Sequence, residues 1–190
     1  MKIVKRIANI FFYIFVIFLC LYLFLEIFMP RKTIDVIGFK TFVVLTPSME
    51  PVINVNDIIL VKKTKQENIE VGDKITFEVY IKDLGSEAYV THYVADIDRS
   101  EDIVIYYTQG ANAEEGEYDN WLDEDNQEIN ITYDDIAGEY VFKIPGLGLL
   151  TRMFQDPYML GFIVLDVLII YFLIKTLSKS KKIKLSKKLP

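Results

Sequence analysis

Residues 73–97 read D-K-I-T-F-E-V-Y-I-K-D-L-G-S-E-A-Y-V-T-H-Y-V-A-D-I, and this stretch indicates the fold most directly. Its two halves are rich in β-branched and aromatic residues, and the turn signal D-L-G-S lies between them. Parts of each half alternate polar and apolar side chains, as half-buried antiparallel strands do. The stretch therefore predicts two antiparallel strands joined by a turn.

Further runs of the same kind precede and follow this pair. In chain order they are F-K-T-F-V-V-L at 39–45, D-I-I-L-V-K-K at 57–63, D-I-V-I-Y-Y-T-Q at 102–109 and Y-V-F-K-I at 140–144. Helical periodicity is weak between 31 and 156, and turn signals separate the runs. We expect a mainly β fold, built as one antiparallel β domain. The acidic stretch 112–130, which contains the one tryptophan, is predicted to be a surface loop or insertion.

Two apolar segments flank this domain. Residues 7–29 are long enough to cross a bilayer, which needs about 20 apolar residues, and 158–174 lie at the short end of that range. Lys and Arg precede the first segment and crowd the tail after the second, which places both termini in the cytoplasm. The predicted organisation is a cytoplasmic N-terminus (1–6), a transmembrane helix (7–29), an extracytoplasmic domain (30–157), a second transmembrane helix (158–174) and a basic cytoplasmic tail (175–190).

Composition excludes several classes of function. The formal net charge of the chain is −6, and that of 31–157 is about −14, so this domain repels nucleic acid. One cysteine, Cys20 in the first apolar segment, allows no intrachain disulfide. One histidine and that cysteine cannot form a typical zinc site, and the usual glycine-rich phosphate loop is missing.

The stretch V-V-L-T-P-S-M-E-P at 43–51 contains the candidate nucleophile. Ser48 lies between two prolines that restrict the backbone around its hydroxyl. A serine beside proline is usually a turn residue, and it becomes a nucleophile only with a base. The one histidine, His92, can accept a proton near neutral pH, but a lone histidine is more often structural. Only the fold can bring the two together.

Four blocks of the sequence resemble type I signal peptidases, the membrane-anchored serine proteases that remove signal peptides from exported proteins. They are L-T-P-S-M-E-P-V-I-N-V-N-D-I-I-L-V (45–61), V-G-D-K-I-T-F (71–77), Y-V-T-H-Y-V-A-D-I (89–97), and Y-T-Q-G-A-N (107–112) followed by I-A-G-E-Y-V-F-K-I-P-G-L-G-L-L (136–150). Histidine at position 92, where most bacterial members have lysine, resembles the endoplasmic-reticulum and archaeal type, also found in some Gram-positive bacteria. The resemblance implies Ser48 as nucleophile, His92 as general base, and Thr46 with the Ser48 N–H as oxyanion donors.

The third catalytic group departs from the pattern of that family. Ala111 stands where the family has its first aspartate in the last block. The second aspartate best matches Asp119, with Glu117 and Glu115 as fallbacks. A carboxylate is needed to orient the imidazole and to stabilise its charged form, so we expect Asp119 near His92.

Other polar residues have structural interpretations. Asp57 matches a structural aspartate of the family's Gly-Asp turn, and Asn56, which tolerates a left-handed backbone, replaces the glycine. Gly110 is either a tight-turn residue beside the site or a plain loop glycine. Asp166, within the second apolar segment, marks a helix contact, an oligomer interface or a helix that only dips into the membrane.

The resemblance implies removal of signal peptides from exported preproteins, no cofactor, and a two-pass protein of the cell membrane. Its expected partners are signal peptides and membrane lipid, and an association with the secretion machinery is compatible with it. The alternative is a non-catalytic membrane-anchored β domain that binds exported or cell-wall proteins. A self-cleaving or regulatory serine protease of similar fold fits two membrane spans poorly.

Overall fold

The computed structural model describes residues 2–100, 102–114, 116–155 and the positions 158–159, 161–162, 165–166, 169–172 and 175. The chain divides into two compact units, Met1–Gly146 and Leu147–Pro190. The first unit contains an apolar helix and the β domain, and it carries every candidate catalytic residue.

Helix α1 (Lys2–Phe28) is almost entirely apolar between Ile10 and Leu25, and Pro30 follows its end. Proline disfavours helical backbone in the residue before it, which limits how far the helix can extend. Its segment Val4–Phe28 has a mean hydropathy of 2.7 and is long and apolar enough to cross a membrane. Most side chains along it are exposed, as a lipid-facing helix requires. The helix is therefore compatible with the predicted membrane anchor.

An antiparallel six-stranded sheet forms most of the β domain. Its strands are β1 (Phe39–Val43), β2 (Ile58–Lys62), β3 (Lys74–Ile81), β4 (Ser86–Asp98), β5 (Ile105–Gln109) and β8 (Ile136–Ile144). The order across the sheet is β1-β2-β8-β3-β4-β5, so the last strand lies in the middle. All six predicted strand runs are confirmed. The predicted β3–β4 hairpin pairs from Lys74 opposite Tyr93 to Ile81 opposite Ser86.

Two apolar clusters stabilise the domain. The larger one lies under the middle of the sheet and contains Ile69, Ile75, Phe77, Val79, Val94, Tyr106, Ile131 and Ile136. The smaller one lies beside β1 and β2 and contains Ile34, Met49, Ile53, Ile59 and Val61. Met49 is only 2% exposed, and burying such a side chain stabilises by about 1.5–3 kcal/mol. The smaller cluster thereby fixes the backbone next to Ser48.

The acidic stretch 112–130, predicted to be a surface loop or insertion, is attached to the core of the domain. This stretch contains a short hairpin, β6 (Trp121–Leu122) paired with β7 (Glu128–Ile129). The Trp121 ring packs edge-on against Phe77, with centroids 5.4 Å apart, and joins the larger cluster. The acidic composition concealed this hairpin because only a few apolar side chains, Trp121 and Ile129, attach it to the core.

Asp57 connects the Ser48 region to the end of β8. Its carboxylate accepts hydrogen bonds from the backbone N–H groups of Asn54 (2.9 Å) and Gly146 (3.1 Å), and it pairs with Lys143 at 2.9 Å. Burial would raise the pKa of Asp57, but these hydrogen bonds and the Lys143 charge lower it below its ordinary value. Asn56 adopts φ 69°, the left-handed conformation expected of it. The structural interpretation of Asp57 agrees with these contacts.

A short helix, α2 (Thr33–Ile37), follows α1 in the first unit, and the second unit contains helix α3 (Gly148–Gln155). The predicted span at 158–174 is helical at its described positions but includes residues outside the description, so it stays a prediction. Among the described residues, one helix, α1, is long and apolar enough to cross a membrane. The predicted basic tail lies outside the described residues except Lys175.

Candidate active site

Ser48 lies in a 3₁₀ turn, Pro47–Met49, that follows β1. Proline at the start of the turn presets the backbone, and the Glu50 N–H donates to the Pro47 carbonyl at 3.0 Å. Met49 points into the smaller apolar cluster, whereas Ser48 is exposed. The turn thus holds the serine hydroxyl at the surface on a firmly packed backbone.

His92 lies on β4, opposite Ile75 of β3, and is 5% exposed. Its ring packs beside Trp121, with centroids 5.7 Å apart, and edge-on to Phe77 at 6.4 Å. Because both neighbours are large aromatic side chains, the imidazole has little freedom to change rotamer. The histidine is therefore held in one orientation.

Asp119 contacts the imidazole directly. Its Oδ2 lies 2.6 Å from His92 Nδ1 and accepts a second hydrogen bond, also 2.6 Å long, from the Thr108 hydroxyl. The Trp121 indole N–H donates to the same hydroxyl at 2.9 Å. Burial would raise the pKa of Asp119, but the hydrogen bonds from His92 and Thr108 and the charge of His92 lower it below its ordinary value. An ionised carboxylate therefore faces Nδ1.

The other imidazole nitrogen, Nε2, is buried and has no hydrogen-bond partner among the described residues. A buried polar atom without a partner is costly, and such atoms often mark catalytic positions. The Ser48 hydroxyl, by contrast, lies 3.5 Å from the Thr46 hydroxyl, at the outer limit of a hydrogen bond. The structure thus leaves the Ser48–His92 hydrogen bond unmade.

Gly110 brings the Ser48 turn and His92 to a common point. A β-carbon on Gly110 would lie 2.9 Å from the Ser48 carbonyl oxygen and 3.9 Å from His92 Cε1. The Ala111 N–H donates to the Ser48 carbonyl at 2.9 Å, and the Asn112 side chain donates to the Glu50 carbonyl at 3.0 Å. A side chain at position 110 would therefore push the Ser48 turn away, so close approach explains this glycine.

The candidate acids have different surroundings in the structure. Asp119 is in contact with His92, as expected, whereas the exposed Glu117 accepts a hydrogen bond from the Glu114 N–H. Glu115 lies outside the described residues. Ala111 packs against the smaller apolar cluster, in surroundings that suit a methyl group better than a carboxylate.

Ala111→Asp is expected to destabilise the protein without raising its activity, because it places a charge against apolar side chains while His92 already has a carboxylate. The expected cost is roughly 1–3 kcal/mol in the free energy of unfolding, measurable by urea denaturation. Ala111→Asn is the matched uncharged control. A rise in kcat/KM with unchanged stability would contradict this assignment of the acid.

An apolar groove of about 400 Å³ runs beside the Ser48 turn. Residues 42–46, at the end of β1 and beyond it, line one side, and residues 88–91 of β4 line the other. Thr46 and Met49, which flank Ser48, also contribute to the lining. The groove therefore lies next to the Ser48 turn, although Ser48 is not among its lining residues.

Two residues of this site were not predicted from the sequence. Thr108 and Trp121 support Asp119 and His92, yet neither belongs to a local motif that identifies its role. The Thr108 side chain reaches Asp119 because the loop between them folds back, with the Asp119 N–H donating to the Thr108 carbonyl at 2.8 Å. The tryptophan within an otherwise acidic stretch was the one available signal.

A surface serine, a buried imidazole and a partly buried carboxylate are the kinds of group that serine hydrolases use. No family model matches the chain. Signal peptidase I W of Bacillus subtilis (strain 168) is similar, with 34% identity over 112 residues, which make up 57% of this chain and 56% of that protein. The chain thus matches little more than half the length of this relative. The similarity supports a relationship to type I signal peptidases.

Proposed function

We propose that this chain is a membrane-anchored serine endopeptidase that removes signal peptides from exported preproteins. The observation that carries the proposal is the His92 ring, whose Nδ1 contacts Asp119 while its Nε2 has no hydrogen-bond partner among the described residues. Gly110 approaches both this ring and the Ser48 turn. The similarity to a signal peptidase supports the same conclusion. No cofactor takes part in the proposed reaction.

In the proposed mechanism, Ser48 Oγ attacks the scissile carbonyl and His92 Nε2 takes the serine proton. Asp119 holds the Nδ1–H tautomer and stabilises the imidazolium that forms. His92 then protonates the leaving amine, and a water molecule, activated by the same nitrogen, hydrolyses the acyl-enzyme. The Thr46 hydroxyl and the Ser48 N–H stabilise the oxyanion. Catalytic hydrogen bonds often tighten only when substrate binds, so an open Ser48–His92 pair is compatible with this chemistry.

The apolar groove would bind the residues before the scissile bond in an extended conformation, through main-chain hydrogen bonds to a strand. Side chains of such a segment alternate between the two faces, so every second one enters the groove. The resemblance to signal peptidases implies small residues, such as alanine, at the two positions that set the cleavage site.

The membrane arrangement is part of the proposal. Helix α1 anchors the chain, the β domain (30–157) faces the extracytoplasmic side, and 158–174 form a second span that returns the basic tail to the cytoplasm. Enzyme and signal peptide would then share one membrane surface, which confines their encounter. Association with the secretion machinery would serve the same purpose.

A reconstituted assay tests this function. The full chain in liposomes is expected to cleave a preprotein with alanine at the two positions that set the cleavage site. Replacement of both alanines by leucine should reduce cleavage at least about fivefold, since forcing larger side chains into a packed site costs about 1–3 kcal/mol. Mass spectrometry of the products identifies the cleaved bond, and protein-free liposomes are the blank. Equal cleavage of both substrates, or none of either, would refute the proposal.

The open Ser48–His92 pair favours one second candidate, a non-catalytic β domain that binds exported or cell-wall proteins. Such a domain would retain preproteins in the groove and release them intact. The liposome assay separates the candidates, because binding without product formation by the wild-type chain supports the binding domain.

A further inference from the structure

Lys40 connects the membrane anchor to the β domain. It lies on β1 and is 6% exposed. Its Nζ donates to the Pro30 carbonyl, 2.5 Å away, just beyond the end of α1. The same Nζ lies 3.7 Å from Oε2 of Glu26, near the end of α1. One buried ammonium group therefore contacts both the anchor helix and the segment that leaves it.

The same ammonium group also contacts the wall of the groove. It lies 5.3 Å from the ring centroid of Phe42 on β1 and 5.5 Å from that of Tyr89 on β4. These two rings pack against each other at 4.9 Å, and both residues line the apolar groove beside Ser48. Cations are attracted to aromatic ring faces at such distances. Lys40 is thus a direct contact between the groove wall and the anchor.

The contacts of Lys40 matter for stability because its ammonium group is buried. An ammonium group is costly to bury unless a counter-charge and hydrogen bonds compensate it. Glu26 depends on Lys40 in turn, because its second oxygen, Oε1, is buried without a hydrogen-bond partner among the described residues. Arg31 also links this region to the domain, through Glu78 and Glu87, but its side chain is 65% exposed and such pairs contribute little.

We propose that Lys40 is a positioning residue that fixes the substrate groove at a set height and tilt relative to the membrane anchor. The expected effect on substrate cleavage rests on the proposed function. The claim that Lys40 fixes the groove relative to the anchor does not. A signal peptide held in the membrane presents its cleavage site at a fixed distance from the bilayer. A groove that moves relative to the anchor would meet that site less often, whereas binding of a soluble peptide does not depend on the height of the groove above the bilayer.

The single tryptophan makes the geometry measurable. Trp121 lies beside His92, so energy transfer from Trp121 to dansyl-labelled lipid headgroups reports the height of the site above the bilayer. The full chain in liposomes is expected to give a narrow distribution of donor lifetimes. Lys40→Met and Glu26→Gln should each broaden it. Lys62→Met is the matched control, because Lys62 is a half-exposed lysine of the neighbouring strand that pairs with Glu139 instead.

Replacing both members of the pair tests the inference without leaving a buried charge that could unfold the protein. The double variant Glu26→Gln/Lys40→Met leaves no buried charge unpaired, so it is expected to fold and still to show the broadened distribution. A distribution as narrow as that of the wild type in this folded variant would overturn the inference, whatever the catalytic activity.

Kinetics provide the second readout. Lys40→Met should raise KM for a membrane-inserted preprotein about tenfold, a typical coupling between two sites, and lower kcat/KM for a soluble peptide by a clearly smaller factor. Equal effects on both substrates would overturn the positioning role. If the wild-type chain cleaves neither substrate, the proposed function fails, and the lifetime measurement alone decides the geometric claim.

Discussion

Replacement of His92 by alanine is expected to abolish preprotein cleavage, with a loss in kcat of about 10⁶-fold, the scale seen when a serine protease loses its base. Without the imidazole, nothing in the described site takes the proton from Ser48. Ser48→Ala should cause a loss of the same size, because it removes the atom that attacks. The double variant should lose no more than either single one, since the two residues act as a unit.

Single-turnover assays in liposomes measure these losses, and circular dichroism verifies that the variants fold. Ser86→Ala, at the exposed start of β4, is the matched control and should retain full activity. Cleavage within tenfold of the wild-type rate by either the Ser48 or the His92 variant would be incompatible with the mechanism.

Replacement of Asp119 by asparagine should reduce kcat about 10³- to 10⁴-fold, as expected when the group that fixes the tautomer of a catalytic histidine is neutralised. The asparagine amide can present an N–H to Nδ1, which would place the imidazole proton on Nε2, the nitrogen that must accept the serine proton. Glu117→Gln, an exposed acid two residues earlier, should leave kcat unchanged. A large loss in Glu117→Gln with a small one in Asp119→Asn would reverse the assignment.

The same variant should show a pH-dependent loss of stability. The pKa of Asp119 in the folded protein lies below the ordinary value, about 3.9 for an unperturbed Asp. Its carboxylate therefore stabilises the fold fully above that pH, and the contribution is lost as the pH falls through the lowered pKa. The difference in free energy of unfolding between wild type and Asp119→Asn should shrink below about pH 4.

The strands of this fold could be predicted from the sequence because the signal for each is local. Alternating side chains and turn residues mark β3 and β4 without reference to the rest of the chain. The position of β8 between β2 and β3 has no such local mark, since it depends on which apolar faces pack together. The β6–β7 hairpin was missed for the same reason, because Trp121 packs against a strand more than forty positions away.

The residues of the candidate site also divide into those with a local sequence signal and those without one. Ser48 and His92 lie in blocks that resemble a known family, so they could be proposed from the sequence. Thr108 could not, because its role requires the Asp119 loop to fold back onto β5. Lys40 was equally hidden, since a lysine at that position in a strand is ordinarily assigned to the surface.

Trapping the acyl-enzyme tests the central claim most directly. Preprotein is mixed with the full chain in liposomes, the reaction is stopped with acid during the first turnover, and the digested enzyme is analysed by mass spectrometry. We predict the signal-peptide fragment as an ester on the peptide that contains Ser48, and its complete loss in Ser48→Ala. An adduct on any other residue, or product formation by Ser48→Ala without an adduct, would contradict the account.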